Sequence, residues 1–420
     1  MAAREFELII YGATGFTGLR TALSLRWAIA GRSIEKLEQA REQVAAINPA
    51  FKDLPIIKAD ASSPESLSAM VSKTKVVLST VGPFLQYGEP LVAACVRHGT
   101  HYVDSTGETP FVNNMIRKYH DEAKAKKVVI VPQCGFDSVP SDIGTKLVVD
   151  YLRKEYGLAT KSVKMSVTKL KGAVSGGTLA SVCGILESRE GGVGNIVDQN
   201  QLVPDDVKAK VPAARITSPS VFYDYDFKKW QAYFLMSSTN EKIVKRSHGL
   251  ALEADGVGYG HQFSYSETMS CPGFGSALVA SVGMGLGGAA LSVGPIRRLA
   301  QKYVLPAPGT GPSDESIAKG YFTIEVVGEA ELPENAVEEA EAGEQRKVVR
   351  AKATVSGSEP GYSETCRLLV ESAMCLIKEE ERTFRENKIQ GGLLTPASAF
   401  GHVLVQRLQE RGVVLEVAKL

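Results

Sequence analysis

Residues 6–18, FELIIYGATGFTG, are a short apolar run that leads straight into a turn with glycines at Gly12, Gly15 and Gly18. In a strand–turn–helix unit each glycine of that spacing has a physical task. The first allows a tight turn, the second lets backbone approach a pyrophosphate, and the third lets the helix pack closely on the strand. The helix N-terminus then offers unpaired N–H groups and the positive end of a dipole to the phosphates. The motif nominates Gly12, Ala13, Thr14, Gly15, Phe16, Thr17 and Gly18 as a dinucleotide cradle. The competing reading is a glycine turn that serves packing alone.

A second strand, WAIA at 27–30, closes on Gly31, Arg32 and Ser33. A carboxylate at this place would take the ribose 2′-hydroxyl of NAD, whereas a basic residue accommodates the 2′-phosphate of NADP. Arg32 with Ser33 therefore favours NADP over NAD, against the alternative of an exposed arginine at a strand end. The crossover between the two strands is short for its task. A helix of about eight residues covers roughly 12 Å, less than the about 17–20 Å of a typical strand. That shortness weighs against the quality of the cofactor site.

Beyond Ser33, which is placed to cap a helix over 34–47 with Leu37, Ala40, Val44 and Ile47 on one stripe, strands and helices keep alternating. A third strand at 55–60 ends in Asp60, a carboxylate placed either to face an adenine or to cap the helix SPESLSAMV. A fourth, KVVLSTV at 75–81, is apolar enough to be covered on both faces. It runs into Val81, Gly82 and Pro83, at the carboxyl end where open α/β sheets bind ligands. Helices at 89–98 and 110–127 and strands at 101–104 and 128–132 complete the pattern. Alternation over some 140 residues predicts an α/β fold, a Rossmann doubly wound parallel sheet over 1–150.

At 420 residues the chain needs a second domain, assigned to 151–420. A net charge of +1 gives no ground for a nucleic-acid partner. The six cysteines show no CxxC spacing and no clustering with histidine, which argues against a zinc site or a disulfide framework, so no metal is expected. The start MAAREFELII enters a strand within a few residues and does not read as a secretory signal, so an intracellular, cytoplasmic setting is expected unless a lipid surface holds the protein.

The strings GATGFTG, WAIAGRS, STVGPF with YGEP soon after, YVDSTGE and GFDSVPSD together resemble the saccharopine dehydrogenase-like oxidoreductases. The likeness continues through SGGTLAS, LPAPGTGP, PGYSET and GGLLTPASAFG, so it covers essentially the whole chain. The mycobacterial trans-acting enoyl reductases of glycolipid synthesis look similar too. The resemblance implies a Rossmann NAD(P)-binding domain followed by a substrate or dimerisation domain, so a homodimer is among the expected partners. It also implies association with lipid droplets and membranes, as for animal and fungal members. The departure is the crossover after Gly18, where family members carry a longer first helix.

In the second half SVKMSVTKL at 162–170 alternates apolar and polar, as an antiparallel strand with one wet face does. The expectation for 151–420 is an α+β domain with a mostly antiparallel sheet. A helix is expected over 175–190 and loop over 191–220, while 223–227 reads as an edge strand or a recognition loop. A helix over 240–254 would carry Lys242, Lys245 and Arg246 as a basic face. Residues 259–269 read as strand or aromatic surface. Residues 276–295 hold no charge across twenty positions and are followed by Arg297, Arg298 and Lys302. That run is long enough to span hydrocarbon, but Gly283, Gly285, Gly287 and Gly288 weaken it. A buried helix or glycine loop and a peripheral membrane or lipid-droplet contact stay open. A connector at 305–312, a hairpin of 321–329 with 347–356, helices at 364–380 and 396–411 and a closing strand at 413–417 finish the chain.

A nicotinamide reductase needs its hydride donor aimed at the substrate and a proton source or charge clamp beside it. Asp104, Glu108, Asp137 and Ser138, at the carboxyl ends of strands four to six, are the candidates, and each could equally cap a helix or satisfy a turn. No catalytic residue is assigned. The expected function is an NADP-dependent oxidoreductase that reduces a double bond or carbonyl in a lipid or polyketide-type substrate. The rival is a non-catalytic nucleotide-binding protein at a lipid-droplet or membrane surface. Saccharopine dehydrogenase activity itself is set aside, because the apolar run has no place in an enzyme for a polar amino-acid conjugate.

Overall fold

A computed structural model of the chain describes residues 4–13, 26–172, 183, 198–213, 220–303, 313–331 and 348–420. Six strands of the first half are β1 (Phe6–Tyr11), β2 (Trp27–Gly31), β3 (Ile56–Lys58), β4 (Thr74–Ser79), β5 (His101–Asp104) and β6 (Val129–Val131). They join a two-residue strand near the C-terminus, β13 (Gly392–Leu393), in one sheet of order β13-β6-β5-β4-β1-β2-β3. Every pair in it is parallel, as the apolar strands require once both faces are covered. Successive side chains go to opposite faces. Leu8 and Ile10 join the core shared with the second sheet, and Ile9 and Tyr11 the core on the other side. Six of these strands come from before residue 150 and the seventh from beyond it.

Helix α1 (Ile34–Ile47) starts at Ser33, whose hydroxyl accepts from the Lys36 N–H. Leu37, Ala40 and Val44 are buried as their spacing predicts, whereas Ile47 ends the helix exposed. Helix α2 (Pro64–Val71) is capped by Ser63, not by Asp60. Helix α3 (Phe84–His98) begins five residues earlier than expected and ends at Gly99, whose φ of 68° is the left-handed cap glycine tolerates. Helix α4 (Thr109–Ala125) leads back to β6. Helix α5 (Val139–Tyr156) then leaves the first sheet and packs on the second.

The second sheet is built from β7 (Thr160–Lys171), β8 (Phe222–Asp224), β9 (Lys229–Tyr233), β10 (Ser264–Cys271), β11 (Tyr321–Ala330), β12 (Arg350–Ser358) and β14 (Val414–Lys419). Its order is β14-β12-β11-β7-β10-β9-β8. All its pairs are antiparallel except β7 with β10. The expected hairpin is β11 with β12, in register from Tyr321 opposite Ser358 to Glu329 opposite Arg350. Residues 222–224 settle as an edge strand. The aromatic run that enters β10 at Ser264 is interior: Tyr259, Phe263 and Tyr265 are all buried.

Between these strands lie a four-residue helix, α6 (Asp205–Lys208), then α7 (Ser237–Asp255), α8 (Phe274–Ser292), α9 (Gly294–Tyr303) and α10 (Asp314–Ala318). The expected basic face of α7 does not exist: Lys242, Lys245 and Arg246 are all buried. Backbone carbonyls explain two of them. Lys245 Nζ donates to Phe263 O at 2.6 Å, and Arg246 donates to Leu202 O at 2.7 Å and to Leu393 O. Helix α8 is the reverse case. Only Ala277 and Ser281 along it are buried, so the buried-helix alternative for 276–295 is overturned. Helices α11 (Thr365–Ile377), α12 (Glu380–Asn387) and α13 (Pro396–Glu410) follow the hairpin. Helix α11 packs against β1, β4 and β5, and it is buried almost all round. The crossover after Gly18, the helix expected over 175–190 apart from the buried Cys183, the loop expected over 191–220 at 191–197 and 214–219, the connector at 305–312 and the acidic stretch at 332–344 lie outside the described residues.

Candidate active site at the carboxyl edge of the parallel sheet

The order β4-β1-β2 puts the point where the chain reverses direction across the sheet between β1 and β4, and ligands bind beside such a switch point. The two strand ends meet there closely. Gly12 has φ +96°, and a Cβ built on it would lie 2.7 Å from Val81 Cγ2 and 2.8 Å from Thr80 Oγ1. No other residue type fits that turn without displacing its neighbours. Thr80 N–H donates to Tyr11 O at 2.9 Å and Thr80 Oγ1 to Gly12 O at 3.2 Å, which pins the two turns together. Ala13 is buried beneath them. Thr14, Gly15, Phe16, Thr17 and Gly18 fall outside the described residues. Val81 and Pro83 are half-buried and Gly82 is exposed, with a cis peptide bond between Gly82 and Pro83.

At the next strand ends Arg32 is exposed, and Ser33 caps α1 through its lone pair, which leaves the hydroxyl hydrogen free to donate. Asp60 Oδ1 accepts from Ser62 N at 2.9 Å and Ser62 Oγ at 2.7 Å. Those bonds, with Arg32 and Lys58 in support, hold its carboxyl below the usual range. Its role in the chain is therefore to close a turn, and the capping alternative passes to Ser63. Tyr11, buried at the end of β1, is pushed up to about 12 by burial and by the Asp60 charge. Gly12, Val81, Arg32, Ser33 and Asp60 thus line one continuous edge. The tight glycine turn and the exposed cation after β2 fit a dinucleotide with a 2′-phosphate.

The catalytic candidates separate by what they bind. Glu108 is buried and accepts from Phe84 N at 2.9 Å and Leu85 N at 2.8 Å, so it caps α3 from a distance. That explains why α3 begins right after Pro83, which offers no side-chain cap of its own. Asp104 accepts from Tyr102 Oη at 2.8 Å and from Thr106 N and Gln133 N at 2.9 Å each. It ties the turns after β5 and β6 together, and burial raises it to about 7. Ser138 Oγ donates to Asn240 Oδ1 at 3.1 Å. Asp137 makes no hydrogen bond among the described residues, and burial raises it to about 6.

Sequence reasoning missed the polar cluster behind Ser138. Asn240 Nδ2 donates to Ser141 Oγ at 3.2 Å and to Glu267 Oε1 at 3.1 Å, and Ser141 Oγ reaches the same oxygen at 2.5 Å. Glu267 is fully buried and raised to about 8, chiefly by burial. The first turn of α7 lies over the loop after β5, with Thr239 Oγ1 3.5 Å from Gly107 O. A polar residue at helix spacing looks the same in sequence whether it faces solvent or a buried partner, so no signal singled out Asn240. The strand ends of one sheet thus meet the first turn of a helix that serves the other.

Residues 9–131 match the saccharopine dehydrogenase NADP-binding domain family. A putative trans-acting enoyl reductase of Mycobacterium tuberculosis is 36% identical over 446 aligned residues, covering 99% of this chain and 98% of the relative. The trans-acting enoyl reductase of Mycobacterium leprae is 34% identical, covering 99% of each. Among solved structures, apo saccharopine dehydrogenase (L-Glu forming) from Saccharomyces cerevisiae superimposes with a TM-score of 0.55 at 10% identity. That match covers 99% of this chain and all of that one, and at such identity it establishes the fold alone. The cofactor is NADP, as Arg32 favours, and the chain belongs to the saccharopine dehydrogenase-like oxidoreductases, alongside the mycobacterial trans-acting enoyl reductases.

Proposed function

We propose that the chain is an NADPH-dependent reductase that saturates an enoyl double bond, or reduces a carbonyl, in a lipid or polyketide-type substrate of glycolipid metabolism. One observation carries this reading: the likeness to the trans-acting enoyl reductases runs through 99% of the chain, not just its cofactor domain. When bound, NADPH supplies the hydride. Gly12 would let backbone approach the dinucleotide, Arg32 and Ser33 would hold its ribose end, and the Val81-Gly82-Pro83 turn would border the reacting end. Asp104 and Glu108 keep the surrounding turns rigid, which holds the approach geometry.

The reading extends to a lipid surface as partner. Helix α8 is the one described helix long and apolar enough to cross a membrane, yet only 11% of its apolar window is buried. Phe274, Leu278, Val279, Val282 and Leu286 are exposed on it, and α9 adds exposed Ile296, Leu299 and Tyr303 beside Arg298 and Lys302. Apolar side chains with adjacent cations suit peripheral contact with an anionic interface. The expected place of the protein is then a membrane or lipid-droplet surface inside the cell. The same exposed helix favours a second reading, a nucleotide-binding protein of that surface without catalysis.

Fluorescence titration with NADPH and NADH separates these. The parent is expected to bind NADPH at least tenfold more tightly, and Arg32→Asp to abolish the preference; equal affinities in the parent reject the Arg32 assignment. NADPH consumption with a 2-enoyl thioester is the second arm. Binding without consumption across saturated and unsaturated thioesters favours the non-catalytic reading.

A further inference from the structure

The turn Gly135-Phe136-Asp137-Ser138 is clamped on both sides of a carboxyl that is itself unclaimed. Phe136 N–H donates to Thr365 Oγ1 at 3.2 Å, and its ring meets Phe322 edge to face at 4.7 Å. On the other side Ser138 is held by Asn240. A Cβ built on Gly135 would lie 3.3 Å from Thr365 Cγ2 and 3.7 Å from Ser105 Cβ, so the backbone there has no slack. Between these anchors Asp137 has no hydrogen-bond or ion-pair partner among the described residues.

Its surroundings are informative. Asp137 is deep enough in the protein for burial to raise it to about 6, yet it keeps partial contact with solvent. A carboxyl in both conditions sits at the border between interior and solvent. The carboxyl groups on neighbouring segments include Asp104, Glu108, Asp142, Glu241, Glu267 and Glu364, and each of these is engaged with donors of its own. The cation Arg367 pairs with Glu364, and burial is the one cause of the shift at Asp137. Rigid supports with one free acid at their centre are what a positioned proton donor requires.

We propose that Asp137 is the catalytic acid of the reductase, facing the reacting end of the cofactor across the carboxyl edge of the sheet. This rests on the NADPH-dependent reading above. Saturating a double bond adds a hydride to one carbon and a proton to the other. The hydride comes from bound NADPH, which ends as NADP+. The π electron pair forms the new bond to the proton, Asp137 is left as carboxylate, and water returns its proton.

The decisive test does not need the true substrate. NADP+ carries a positive ring that NADPH lacks, and a positive charge beside a carboxyl lowers its pKa. Near pH 6, binding NADP+ should therefore release more protons than binding NADPH, read with an indicator in weakly buffered solution. Asp137→Asn should bind both cofactors within about twofold of the parent and lose that difference. An undiminished difference in Asp137→Asn overturns the proposal, and so does loss of cofactor binding by this variant while its circular dichroism stays parental. Where the parent consumes NADPH with a 2-enoyl thioester, Asp137→Asn should cut kcat by about a hundredfold or more. The fall of kcat above about pH 6 should vanish with it. A parent that binds neither cofactor rejects the enzyme reading and this proposal together, whereas binding with an unchanged proton difference rejects Asp137 alone.

Discussion

Helices α7 and α8 are each nineteen residues long, and they invert the usual rule about what goes inside. Helix α7 carries Glu241, Lys242, Lys245, Arg246 and His248, and all five are buried. Helix α8 carries no charge at all and exposes most of its length. Hydropathy alone would have exchanged them. Partners decide: carbonyls and amides satisfy the charges of α7 in the interior, while α8 touches β9 through Ala277 and Ser281 and the rest of its length is largely uncovered among the described residues. A buried charge costs little once paired, and an exposed apolar face persists where something outside the chain covers it.

The comparison is broken most forcefully at Arg246. Its guanidinium donates to Leu202 O and to Leu393 O and lies 3.4 Å from His120 Nδ1. It thereby ties α7 to β13, the strand the second half contributes to the first sheet. Arg246→Ala leaves two buried carbonyls without donors and a cavity between the sheets. We expect a loss of about 3 kcal/mol or more in urea unfolding. A loss under 1 kcal/mol would mean that these charges are tolerated rather than required.

Glu267 sharpens the same point through pH. Burial raises it to about 8 from an ordinary 4.5, so between those values the folded chain holds a proton that the unfolded chain has released. Stability therefore falls as pH rises through this window. Asp104, raised to about 7, and Asp142, raised to about 6, act with the same sign over narrower windows. Glu267→Gln has no proton to lose. Relative to the parent it should gain about 1 kcal/mol per pH unit at the steepest part, measured by denaturation from pH 5 to 9 in steps. Parallel curves for the two proteins would show that Glu267 ionises in place without cost.

How much of this was legible in the sequence follows from the range of the forces involved. The parallel sheet was readable because its strands are apolar on both faces and its breaks fall at Gly31, Gly82 and Gly99, all local signals. The exposure of Arg32 and the capping role of Ser33 were readable because both depend only on their place after β2. The fates of Asp104, Glu108, Asp137 and Ser138 were not, since each depends on a partner far along the chain. Glu108 caps a helix that starts 24 residues before it, and Ser138 answers to Asn240, 102 residues on. The burial of α7 was hidden for the same reason. A Lys-Arg pair reads as a wet face until Phe263 O and Leu393 O are known to lie over it. The strand at Gly392–Leu393 is too short for periodicity to reveal, and its pairing with β6 rests on tertiary contact alone.

The smallest expected effect on stability belongs to α8, and its smallness is the point. Val279 is 73% exposed and Leu286 67% exposed, so aspartate at either position removes almost no internal contact. The double variant Val279→Asp with Leu286→Asp should unfold within about 0.5 kcal/mol of the parent. Binding to vesicles containing phosphatidylserine should behave in the opposite way. Two apolar side chains lost from the interface, with two anions added, weaken it by about 3 kcal/mol, roughly a hundredfold in partitioning. Flotation of parent and variant with such vesicles and with neutral ones measures this directly, and the residual attraction through Arg298 and Lys302 should fall with added salt. Unaltered flotation would remove the lipid surface as the cover of α8. A stability loss well above 1 kcal/mol would instead mean that α8 packs on protein, and its contrast with α7 would disappear.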